Sequence, residues 1–185
     1  MAALGCDYIK KLSGVYAGFE PSYPIAECIV SPSSPEELEE VLAEGRYIHS
    51  DGGFFPIFMS YVIYRDGQFK RIGTRDEFKT MFTPITTPEE ALGYALVLRN
   101  RLSVRYGLEY NPQYEYFVEE IEDTHVEEID GGYLVHLFFY NPLGCGPHET
   151  SEVVVEVTTR GDVQDVYSEA VYKDPAEDDV CLYED

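Results

Sequence analysis

Two turn tripeptides, Asp130-Gly131-Gly132 and Arg160-Gly161-Asp162, cut the C-terminal half into runs that suit only extended chain. The runs are "YLVHLFFY" (133–140), "SEVVVEVTT" (151–159) and "VQDVYSEAVYK" (163–173). They are rich in β-branched and aromatic residues and bounded by glycine-bearing turns, the signature of neighbouring antiparallel strands. Upstream, "YEYFVEEIEDTHVEEI" alternates with a slip near Asp123, which predicts either two short strands or one bulged strand. A half-apolar meander needs a cover, and the sequence offers a helix. Thr87, Pro88 and Glu90 stand as N-cap, N1 and N3 of a capping box, opening a helix expected over about 88–105. Ala91, Leu92, Ala95, Leu98 and Leu102 would form its apolar stripe. The fold class expected is therefore α+β: an antiparallel β-meander sheet packed on one long helix.

The N-terminal half reads as an elaboration of that core. Ser34, Pro35 and Glu37 open a helix that Gly45 ends, with Leu38, Val41 and Leu42 as its stripe. "FFPIFMSYVIY" (54–64) is a buried strand, "RDG" (65–67) a tight turn and "QFKRIG" the return strand of a β-hairpin. Thr74 with Glu77 caps a short helix over 75–82. "YIHSDGGFF" (47–55) reads as a turn. Residues 1–33 read as an irregular N-terminal arm with a short strand at 27–30. Residues 34–173 read as one α+β domain divisible into sub-units 34–83 and 84–173, and 174–185 as an acidic C-terminal tail.

The net charge of −22 repels phosphate backbones and anionic lipid, so nucleic acid is not an expected partner. Basic residues concentrate between Arg65 and Arg105, whereas 109–130 holds nine acids and no Lys or Arg. Such a surface fits a cationic protein or peptide partner or a plain solvated face. No apolar run reaches the roughly 18 residues of a membrane span. The oligomeric state is left open.

Chemistry is sparsely marked. There is no Gly-rich phosphate loop, G-x-S-x-G, H-E-x-x-H or dinucleotide fingerprint, and no cofactor is expected. The loop "NPLGCGPHET" (141–150) sets Cys145 and His148 three apart. A metal needs three or four ligands, and a Cys–His nucleophile needs an orienting third group. His49, His125 and His136 show no ligand-pair spacing, so neither a metal site nor a catalytic residue is expected. The loop reads as a wide connection, with Cys145 a plain thiol or half of a disulfide. Cys6, Cys28, Cys145 and Cys181 allow three pairings. Their distribution favours Cys6–Cys28 and Cys145–Cys181, and with them an extracytoplasmic location, against four free thiols in a cytosolic chain.

Two functional classes follow. In the first, the chain is a non-catalytic binding domain that contacts a protein or peptide through the Tyr-rich sheet face or the 141–150 loop. In the second it is a small-ligand carrier or enzyme with an NTF2-like cone, where His136 with Tyr133 or Tyr140 supplies polar groups inside a pocket. By alternation His136 shares a face with Leu134 and Phe138, opposite Val135 and Leu137. Candidate contact residues are thus His136, Tyr133, Tyr140, Cys145 and His148.

The pattern at Pro88–Leu92, the "DGG" turn at Asp130–Gly132 and the run Val153–Val163 together resemble PepSY-like and cystatin-like helix-plus-meander domains over 87–173. The ten-residue loop 141–150 departs from that pattern, where a shorter hairpin is usual. The resemblance implies an extracytoplasmic, non-enzymatic module, in some cases one that inhibits peptidases. It carries over no functional residue.

Overall fold

The structure, a computed structural model, describes residues 4–12, 18–51, 56–142 and 144–182. It is α+β with antiparallel sheets. The chain divides into two compact units, Met1–Pro84 and Ile85–Asp185.

The first unit carries β1 (Tyr8–Lys11), β2 (Ile25–Val30), α1 (Pro35–Glu44), β3 (His49–Asp51), β4 (Ile57–Arg65), β5 (Gln68–Ile72) and α2 (Arg75–Phe82). β4 is the hub: β2 pairs with it over Phe58–Ile63, and β3 and β5 also pair with it. The β4–β5 hairpin turns at Asp66 and Gly67, both with positive φ (53° and 76°), the backbone that a two-residue primed turn demands. Both helices start as their sequences dictate, with Ser34 and Thr74 accepting from the Glu37 and Glu77 amides. Phe78 and Phe82 of α2 pack with Phe19 and Tyr61 at ring separations of 4.8–5.7 Å. The α1 stripe behaves differently: none of its ten residues is buried, and Leu42 is 51% exposed.

Within the described part of the expected irregular arm two stretches are strand: β1, and β2, which contains the strand expected at 27–30. β1 pairs with β2 and β2 with β4, and the disulfide Cys6–Cys28 seals this edge beneath Val62. The sequence concealed this because "YIKK" has neither alternation nor an apolar face, and all four residues are exposed. Of the turn expected at 47–55, His49–Asp51 is β3, and 52–55 lie outside the described residues.

The second unit begins with α3 (Pro88–Leu98). Its capping box forms as read: Thr87 accepts from the Glu90 amide, and Glu90 reaches back to the Thr87 amide at 3.0 Å. The helix is shorter than expected. It stops at Leu98, where Arg99 leaves helical geometry (φ −126°, ψ 60°) and pairs with Asp165. Leu102 is therefore no part of its stripe; it joins β6 (Leu102–Ser103) against β9. Competition from a sheet edge, invisible to periodicity, ended the helix early. The chain then runs through β7 (Glu115–Tyr116), β8 (Val126–Ile129), β9 (Gly132–Tyr140), β10 (Gly144–Cys145), β11 (Glu149–Thr158), β12 (Val163–Lys173) and β13 (Cys181–Leu182). The slip near Asp123 thus resolves into two separate short strands, β7 and β8.

The six-stranded sheet runs β6-β9-β11-β12-β7, with β8 also on β9. The helix α3 contacts β8, β9 and β11. Alternation along β9 sends Tyr133, Val135 and Leu137 into burial on one face. On the other, Phe138 is buried with Val171 and Tyr172 beneath Leu108, Tyr114, Tyr116, Val118 and Ile121. The long excursion between β6 and β8 is therefore the cover of the second sheet face.

Candidate functional site: a tyrosine-lined cavity

The excursion from 104 to 124 is held by its own polar groups. The Asp123 carboxylate accepts from the Gly107 and Leu108 amides at 2.7 and 3.0 Å, which holds its ionisation below the ordinary carboxylate range. Arg105 and Thr124 bond twice, Arg105 N–H to Thr124 Oγ1 at 3.0 Å and Thr124 N–H to the Arg105 carbonyl at 2.9 Å. The Tyr116 hydroxyl accepts from the Asn111 amide at 2.9 Å. These bonds set four tyrosines around a cleft. Tyr110 stacks on Tyr116 with centroids 5.0 Å apart, and Tyr114 on Tyr172 at 5.1 Å with planes 5° apart. The cavity they line measures about 430 Å³, within the range of small-ligand pockets. Arg105 lies at its edge with its guanidinium 5.9 Å from the Tyr172 ring centroid, and Arg105 Nε is buried without a hydrogen-bond partner.

A smaller cavity of about 200 Å³ adjoins it and shares Arg105, Tyr114 and Tyr172. Tyr140, Thr150 and Tyr172 form its wall as one cross-strand row on β9, β11 and β12. The Tyr140 hydroxyl donates to Glu177 Oε2 at 2.7 Å; that bond first, and burial second, push its ionisation up to about 12. Arg105 is the one Lys or Arg among the described residues lining the two cavities, against Glu109, Glu119, Asp174 and Glu177.

The sequence-derived candidates fall in three places. Tyr140 and His148 line the smaller cavity. Cys145 is bonded to Cys181, and β10 pairs with β13 around that bridge. His148 is buried, with Nδ1 3.1 Å from the Asn141 carbonyl and Nε2 3.0 Å from that of Val180. A Cβ on Gly146 would meet the Asp178 carbonyl at 2.5 Å, so glycine is required for this close approach. The segment 144–148 thus closes on residues 178–182. Of residues 174–185, expected as an acidic tail, Pro175–Glu177 form a 3₁₀ turn and Cys181–Leu182 form β13. Cys145 and His148 are engaged structurally and do not meet as ligands.

Tyr133 and His136 lie on opposite faces of β9, being an odd number of residues apart, so they do not share a pocket. Tyr133 is buried towards α3, its ionisation raised first by burial and then by Glu128 and Glu90. His136 lines neither cavity. It stacks instead on His125, centroids 4.0 Å apart, a neighbour eleven positions away in sequence that ligand-pair spacing does not reveal. The sequence held the signal: a two-residue turn at 130–131 sets Ile129 against Gly132 and Val126 against Val135, so one step further His125 faces His136. Sequence reasoning missed Arg105 and Tyr172 because their meeting depends on the path of the excursion.

No protein-family model, curated protein or solved structure matches the chain. No described helix is long and apolar enough to cross a membrane.

Proposed function

We propose that this chain is a non-catalytic binding domain and that its second unit takes a peptide in the tyrosine-lined cavity. The carrying observation is Arg105, a half-buried guanidinium between two cavities whose Nε has no partner. A buried donor without an acceptor costs free energy, and a guanidinium is the best side-chain match for a carboxylate. Tyrosines around it offer large, stiff apolar faces for ligand side chains at small entropic cost. Glu109 and Glu119 at the rim, within a chain of net charge −22, favour a ligand that also carries positive charge. The ligand class is therefore a basic peptide segment with an apolar residue at its free C-terminus, the carboxylate meeting Arg105.

The test is isothermal titration with the peptide Lys-Lys-Leu-Phe, as the free acid and as the C-terminal amide. The free acid is expected to bind at least tenfold tighter, and Arg105→Gln is expected to abolish that difference. Equal binding of the two forms, or indifference to Arg105→Gln, would contradict the proposal.

A further inference from the structure

We propose that His125, Glu127 and His136 form a binding site for a divalent transition-metal ion that prefers imidazole ligands, Zn²⁺ being the type case. The site uses different side chains from the tyrosine cavity and stands whether or not that cavity binds peptide. Its ligand atoms all lie within 4.8 Å of one another. His125 Nε2 is 3.4 Å and His136 Nε2 3.7 Å from the same Glu127 oxygen. Ligand atoms about 2.0–2.1 Å from a tetrahedral ion stand about 3.4 Å apart, so each histidine already has nearly that spacing from Glu127.

Hydrogen bonding prepares both rings. His136 Nδ1 lies 2.8 Å from Glu152 Oε1, and His125 Nδ1 lies 2.8 Å from the Asp123 carbonyl. The Glu152 carboxylate holds the His136 proton on Nδ1 and leaves the Nε2 lone pair free, the outer-shell arrangement that orients metal-ligating histidines; His125 Nε2 hydrogen-bonds Glu127 Oε1 at 3.4 Å, and an ion would take the place of that proton. His136 Nε2 is buried and has no hydrogen-bond partner. That orphaned atom is aimed at the Glu127 carboxylate, where an ion would satisfy it. Glu122 Oε2, 3.5 Å from His125 Nε2, stands within reach as a fourth ligand. Two strands and a two-residue turn fix the arrangement: His125 and Glu127 alternate onto one face of the β8 strand line, and His136 faces them from β9. An ion lies in the plane of each ring it binds, so the stacked imidazoles must tilt; His125, 31% exposed, has room to do so.

The test is titration of the whole chain with buffered Zn²⁺, read by stoichiometry and by the ring ¹⁵N shifts of the histidines. One ion per chain is expected, with the largest shifts at Nε2 of His125 and His136. Glu127 is 54% exposed, so Glu127→Gln should keep the fold, as its amide spectrum will show, and lower the affinity at least tenfold. Glu152→Gln, which touches only the outer nitrogen of His136, is expected to lower it 10–100-fold. Zn²⁺ binding unchanged in the folded Glu127→Gln variant would overturn the site. So would ring shifts confined to His49 and His148, or displacement of Zn²⁺ by an equal concentration of Mg²⁺.

Discussion

Joint replacement of Cys6 and Cys28 by alanine is expected to destabilise the first unit by about 3 kcal/mol. A bridge across 22 residues removes loop freedom from the unfolded chain, and the chain-entropy relation gives about 3 kcal/mol for a loop of this size. Cys28 is fully buried and Cys6 nearly so, packed with Val62 and Leu4, so the double variant also loses two sulfurs from a small core. The loss should be local. Hydrogen exchange under native conditions is expected to quicken in β1, β2 and β4 while β9 and β11 keep their protection. Unchanged protection in β2 would mean that the strand pairing holds this edge without the bridge.

Glu90→Ala is expected to cost about 3 kcal/mol, against about 1 kcal/mol for Thr87→Ala. The two belong to one capping box but differ in what they leave behind. Removing the Thr87 hydroxyl frees one amide, that of Glu90. Removing the Glu90 carboxylate strands three donors: Thr86 N–H at 2.6 Å, Thr86 Oγ1–H at 2.9 Å and Thr87 N–H at 3.0 Å. Glu90 is also only 2% exposed, so water replaces it poorly. Glu90→Gln, which keeps an acceptor oxygen, should fall between the two. Urea unfolding followed at β9 amides measures all three, and equal losses for Glu90→Ala and Thr87→Ala would show that the carboxylate adds nothing beyond the cap.

What the sequence disclosed and what it withheld divide along a physical line. Features fixed by residues within a few positions of each other were legible. Ser34, Thr74 and Thr87 each cap the helix read from them, and β12 occupies the run 163–173 as read. Features decided by distant partners were not. The end of α3 depends on β9 capturing Leu102 and Ser103, and the strand at Tyr8–Lys11 exists because β2 lies beside it. Arg105 reaches Tyr172 only because the excursion folds back over β12. His125 and His136 are an intermediate case: the turn that pairs them is legible in the sequence, and the register across it sets one opposite the other. Of the residues named in advance for a site, Tyr140 and His148 touch a cavity, while Tyr133 and Cys145 serve packing and a disulfide.

The central claim is that ligand binds among the tyrosines around Arg105, and tyrosine ring spectra report on it directly. The chain has 16 tyrosines, spread over both units, so the resonances give their own internal control. With ¹³C-labelled tyrosine and added Lys-Lys-Leu-Phe free acid, the account predicts shifts concentrated at Tyr110, Tyr114, Tyr116 and Tyr172, which in Arg105→Gln need at least tenfold more peptide. Shifts that fall instead on Tyr8, Tyr61 and Tyr64 of the first unit, or none at saturating peptide, would contradict it.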